Sequence, residues 1–140
     1  MNKNDIFLDT CGFYAALDRR DHFHTAAVRI IENSLKLGGR LVLSDYIIIE
    51  TINLAVVRRG HQVAIRVLDF LNASRAYIRL PADDDTFHRA ATYLRQHSDK
   101  GYTFTDCTSF VLMKSHRLTR ALTDDHHFIQ AGFQALLKQT

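Results

Sequence analysis

Ile6-Phe7-Leu8-Asp9-Thr10 is an unbroken apolar triplet followed directly by an acid and a hydroxyl. A run without polar alternation suits a strand buried on both faces, as in a parallel sheet covered by helices. Asp9 then falls just past the strand's carboxyl end, where open parallel sheets hold their ligands. Leu41-Val42-Leu43 repeats the apolar run, Ala76 to Leu80 ends as a strand at Pro81, and Arg120 to Thr123 is a fourth short strand running into Asp124-Asp125.

Helical periodicity fills the spaces between. Gly12 to Leu17 carries Phe13, Ala16 and Leu17 on one side, and His24 to Leu37 keeps Ala27, Ile30, Ile31, Ser34 and Leu35 in step before Gly38-Gly39. After Leu43, Ser44 or Asp45 caps a helix with Tyr46, Ile47, Glu50, Leu54 and Val57 on one face, closed by Arg58-Arg59-Gly60. Gln62 to Leu71 turns Val63, Val67, Leu68 and Leu71 inward. Asp83-Asp84-Asp85 opens a helix to about His97, the acids being explained by capping and the helix dipole. Asp106 to His116 is a further helix with Thr105 as its expected N-cap, and Phe133 to Leu137 is a last edge strand or tail. This alternation predicts one domain over 1–140, an α/β fold of three layers with a mainly parallel central sheet.

Composition narrows the class. Eighteen Lys and Arg against fifteen Asp and Glu give a formal net charge of +3, compatible with a polyanionic partner without specifying one. No apolar run reaches membrane-spanning length and no signal-peptide hydrophobic region opens the chain, so the expectation is a cytoplasmic protein with no membrane partner. Cys11 and Cys107 make no disulfide framework and read as reduced packing thiols.

The acids carry the chemistry. Asp9 and Asp125 follow strands, Asp106 opens a helix, and Glu50 interrupts an apolar helical stripe, either as a rim residue touching solvent or as a buried carboxylate that would cost several kcal/mol unpaired. All four can converge on one edge of the sheet. Carboxylates gathered in one pocket repel unless a cation joins them, and oxygen donors select Mg²⁺ or Mn²⁺. Such a site suits phosphodiester hydrolysis. Arg19, Arg20, Arg58, Arg59, Lys114 and Arg117 are the basic residues available to a bound phosphate.

The segments Phe7-Leu8-Asp9-Thr10, Ile49-Glu50-Thr51, Phe104-Thr105-Asp106-Cys107-Thr108-Ser109-Phe110 and Ala121 to Phe133 together resemble the ordered motifs of the PIN domain family. Asp21-x-x-His24-x-x-Ala27 resembles the family's entry into its second helix. The resemblance implies a metal-dependent ribonuclease with a PIN-like sandwich, in which Asp9, Glu50, Asp106 and Asp125 are the catalytic, metal-binding acids. Asp124 stands where the motif is often apolar, so the fourth acid is Asp125 or Asp124. Thr10 and Ser109 are supporting hydroxyls, as water-orienting groups or as caps and packing residues. Small stand-alone members resemble VapC-type toxins, which implies an RNA substrate, a cognate antitoxin and a homodimer. A housekeeping RNA-processing nuclease is the alternative.

Other classes compete. A non-catalytic RNA-binding or interaction module of the same fold predicts missing or displaced acids, whereas all four motif acids are present. A zinc hydrolase would use His22, His24, His126 and His127, but these stand in no His-Glu-x-x-His frame. A flavodoxin-like receiver wants a late strand-end Lys, and none stands there.

Overall fold

The computed structural model describes residues 1–138. Its elements follow the order β1 (Ile6–Leu8), α1 (Thr10–Leu17), α2 (His24–Lys36), β2 (Leu41–Ser44), α3 (Asp45–Arg59), α4 (His61–Ala73), β3 (Tyr77–Leu80), α5 (Asp84–Gln96), α6 (Phe104–Ser115), β4 (Arg120–Leu122), α7 (His126–Gln130) and β5 (Gln134–Ala135). The five strands form one sheet in the order β3-β2-β1-β4-β5. Every pairing is parallel, including the edge strand β5 against β4. With helices on both faces this is the α/β/α sandwich, its sheet wholly rather than mainly parallel.

The apolar triplets form strands because they can be buried on both faces. Ile6, Phe7, Leu8, Val42 and Leu43 are all completely buried. Burial of one such side chain contributes about 1.5–3 kcal/mol, so the central strands anchor the core. α1 to α4 pack among themselves, whereas α5 packs on α6 and α6 on α7. That division follows from right-handed crossovers, since the chain runs one way from β1 to β3 and then back across to β4.

The reversal of strand order falls between β1 and β4, the topological switch point where open sheets leave a crevice beyond their carboxyl ends. Gly12 closes the structure there. A Cβ at this position would sit 2.0 Å from the carbonyl oxygen of Leu122, so only glycine lets α1 lie directly on the end of β4.

Four local readings are corrected. The N-cap of α6 is Thr103, not Thr105: its hydroxyl accepts from the Asp106 amide at 3.1 Å, and the Asp106 carboxylate accepts from the Thr103 amide at 3.0 Å. That reciprocal box starts the helix at Phe104 and puts Asp106 at its third residue. The buried face of α3 is Ile47, Ile48, Thr51 and Ala55, while Glu50 is on the exposed rim and Val57 is 83% exposed. The stripe misled because α3 is apolar on more than one side. Leu68 of α4 and Leu35 of α2, expected inward, also point outward.

Candidate active site

Acids from separate elements meet at the switch point. Asp9 occupies the N-cap position of α1, yet its carboxylate makes no capping bond. It accepts instead from the Thr123 hydroxyl at 2.8 Å. Thr123 lies just after β4, accepts from the Asp125 amide at 3.1 Å, and its Oγ1 is 3.3 Å from Cys11 Sγ. One hydroxyl thereby joins the ends of β1 and β4.

Asp106 is held by its capping box, and Asp125 caps α7 through the His127 amide at 2.9 Å. His127 Nδ1 lies 3.3 Å from Asp106 Oδ2 and 3.4 Å from Asp125 Oδ1, so a single imidazole spans both carboxylates. Its ring stands edge-on to Tyr102, at 5.2 Å between centroids. Glu50 reaches the site from α3, where it accepts from the Thr10 hydroxyl at 2.7 Å. The Cys11 thiol lies 3.4 Å from Asp124 Oδ1. The acids, with Thr10, Cys11 and His127, line a cavity of about 760 Å³.

The electrostatics are those of crowded anions. Burial pushes the Asp9 carboxyl up to about 7; Asp106 and Asp125 push the same way, against the Thr123 hydroxyl and the Thr10 amide. Asp106 is also raised, by burial and then by Asp125, with the Thr103 amide and His127 opposing. Burial and the neighbouring Asp9 push the Cys11 thiol up to about 12, which keeps it a protonated donor.

This donor set fits a divalent cation. Asp106 and Asp125 disfavour the charge on Asp9, and Asp125 disfavours that on Asp106; a bound cation reverses that penalty. Carboxylate oxygens dominate, as Mg²⁺ and Mn²⁺ prefer, while Asp125, His126 and His127 add donor atoms within 4.8 Å of one another. The four-histidine zinc set is not assembled. His24 Nδ1 sits 2.8 Å from the Ala15 carbonyl oxygen, and His24 is absent from the cavity wall that His22, His126 and His127 share.

Residues 6–134 match the PIN domain. The chain belongs to the PIN domain family. It is 30% identical over 136 residues to proteins from two Mycobacterium tuberculosis strains, CDC 1551 / Oshkosh and ATCC 25618 / H37Rv. Each is described as the 23S rRNA-specific endonuclease VapC20, and the match covers 91% of this chain and 95% of theirs. The crystal structure of Mycobacterium tuberculosis VapC20, described as a sarcin-ricin loop cleaving toxin, superposes with a TM-score of 0.83 at 26% identity. That match covers 92% of this chain and 96% of the VapC20 chain.

Within this PIN fold, Asp9, Thr10, Glu50, Asp106, Asp124 and Asp125 all line the one cavity. Ser109 does not: it is fully buried, and its Oγ has no hydrogen-bond partner. Cys107 is buried, as a packing thiol should be, but Cys11 lines the cavity beside the acids. Thr123 and His127 were not singled out as parts of an acidic site. The signal for Thr123 is a hydroxyl just past the buried Ala121-Leu122 end of β4; for His127 the sequence offers only a His-His pair.

Proposed function

We propose that this PIN domain protein is a Mg²⁺- or Mn²⁺-dependent endoribonuclease of the VapC type, the toxin of a toxin–antitoxin pair. The observation that carries the reading is Asp9: a buried carboxylate, raised to about 7, facing Asp106 and Asp125 at the switch point of the sheet. Stability alone would favour a neutral or cation-paired residue there. The likeness to the 23S rRNA-specific VapC20 supports ribosomal RNA as the substrate class.

In this reading Asp9, Glu50, Asp106 and Asp125 hold the metal, and Asp124 stands at the rim. The metal, when bound, supplies a more acidic water and stabilises charge on the phosphate oxygens. The chain does the positioning. Thr123 orients Asp9, Thr10 orients Glu50, and the capping box fixes Asp106 in one rotamer. His127 holds the Asp106 and Asp125 carboxylates at a fixed separation. Thr10 and Thr123 are therefore positioning residues, while Ser109 acts through packing on the buried face of α6.

The biological setting follows the same reading. Among the described residues no helix is long and apolar enough to cross a membrane, and the proposed compartment is the cytoplasm. The proposed partners are RNA, an antitoxin covering the acidic cavity, and a second copy of the chain. Exposed Ile49, Val56 and Val57 on α3, with Ile65 and Leu68 on α4, supply apolar surface for association.

The test is cleavage of 23S rRNA by the purified protein with Mg²⁺ or Mn²⁺, repeated with Asp106→Asn. Cleavage that needs the ion and disappears in a folded Asp106→Asn supports the reading. Cleavage that persists in chelator contradicts it, and activity restored by Zn²⁺ alone would favour the histidine donors. A short upstream reading frame encoding a DNA-binding protein would favour the toxin role over housekeeping processing.

A further inference from the structure

We infer that Arg58 is the substrate-phosphate contact of this cavity, binding a phosphate that flanks the scissile bond. The inference rests on the ribonuclease reading and adds to it the residue that grips the RNA backbone away from the acids.

The cavity is lined by Asp9, Asp21, Glu50, Asp106, Asp124 and Asp125, a wall that repels a polyanion. Arg58 is the one Arg or Lys in that lining, among the described residues. It nevertheless forms no ion pair with any of these acids. Its guanidinium lies over the face of the Tyr14 ring, 5.3 Å from the centroid. A stacked guanidinium is oriented by the ring while its N–H donors at the edge remain available, an arrangement suited to planar recognition of phosphate.

The platform is rigid. Tyr14 is 1% exposed, and its hydroxyl donates to Asp18 Oδ2 at 2.5 Å. Asp18 also accepts from the Arg59 Nε at 3.0 Å. The two adjacent arginines are thus divided: Arg59 is consumed by the buried Asp18, and Arg58 is left over the ring that Asp18 fixes.

Position completes the argument. Glu50, Leu54 and Arg58 all line the cavity from α3 at intervals of four residues. At the helical rise of about 1.5 Å per residue, Arg58 lies roughly 12 Å along the axis from Glu50. It is therefore placed for a neighbouring phosphate rather than the one being cut, with Leu54 as the apolar floor between. A guanidinium there supplies attraction that the acidic end lacks.

The experiment uses a fluorescein-labelled RNA hairpin carrying the sarcin-ricin loop sequence. Cleavage is measured for wild type, Arg58→Gln and Arg58→Lys, and anisotropy binding over a salt series is measured for each in an Asp106→Asn background. We expect Arg58→Gln to raise KM about tenfold, with kcat changing far less, and Arg58→Lys to recover part of the loss. The slope of log affinity against log salt should shrink by about 0.7–0.9, the value of one phosphate contact. Arg59→Gln should lower Tm and leave that slope unchanged. A folded Arg58→Gln with wild-type KM and slope overturns the inference. If wild type binds the hairpin without cutting it, the nuclease reading fails while the slope still judges Arg58; if it neither binds nor cuts, both fall.

Discussion

Asp5 and Asp9 stand at the two ends of the strand β1, both buried, and their surroundings drive them in opposite directions. For Asp5, burial alone would raise the carboxyl, but the Arg40 amide, the Arg40 guanidinium and the Asn2 amide outweigh it and hold it below the usual carboxylate range. Asp18, another buried acid, is pulled down to about 2 despite burial by the Tyr14 hydroxyl, the Arg20 amide and Arg59. Asp9 has a threonine hydroxyl, a backbone amide and further acids, and rises to about 7. A carboxylate buried for structure is surrounded by donors and a cation. One buried without a cation, beside other acids, suits a ligand that brings the charge.

That contrast sets the expected order of effects. Asp9→Asn should reduce RNA cleavage by more than about 10³-fold, over 4 kcal/mol of transition-state stabilisation, when kcat/KM is measured with Mg²⁺. In metal-free buffer at pH 7 the same variant should melt at a higher temperature than wild type, because it removes an uncompensated charge. Asp5→Asn, at the other end of the strand, should keep the activity and lower the melting temperature. Thr123→Val removes the hydroxyl that orients Asp9, and should weaken metal affinity about 10–100-fold by calorimetric titration. Asp18→Asn should cost about 1–3 kcal/mol by denaturant unfolding, with Arg59 left without its partner. An Asp18→Asn protein as stable as wild type would erase the distinction between structural and ligand-ready acids.

The pH dependence runs both ways. The folded-state value of Asp9 is raised above the unfolded 3.8, so between about pH 4 and pH 7 the folded chain keeps a proton that the unfolded chain has released. Metal-free stability should therefore fall as pH rises through that window, and Asp9→Asn should flatten the fall. Asp5 and Asp18 are depressed instead. Their stabilisation is complete above the unfolded value and is lost as pH falls toward about 2 for Asp18. Melting temperatures over a pH series, with and without Mg²⁺, separate the two trends.

Much of this was legible in the chain. Ile6 to Leu8 and Leu41 to Leu43 could be read as central parallel strands because residues buried on both faces need no alternation. Asp9 and Asp125 could be placed because strand ends are where such sheets open. The motif acids of a PIN domain were visible as residues, and the structure shows how they are held. What could not be read depends on contacts far apart in sequence. Thr123 meets Asp9 across 114 positions, and Cys11 meets Asp124 across 113. Local patterns misled where two residues were equally suited, as with Thr103 and Thr105 for one cap, or where a helix was apolar on more than one side, as with Val57 on α3. The division of labour between Arg58 and Arg59 was invisible because the residues are identical in kind; only Asp18 and the Tyr14 ring distinguish them.

The central claim, that the acids at this switch point are held in wait for a divalent cation, is tested most directly by titrating Mn²⁺ into the metal-free protein calorimetrically near pH 6.5 in buffers of different ionisation enthalpy. The account predicts binding accompanied by proton release, because a carboxyl with a value of about 7 must deprotonate to ligate, and loss of both binding and proton release in Asp9→Asn. Undetectable binding by the wild type, or equal binding by Asp9→Asn, would contradict it.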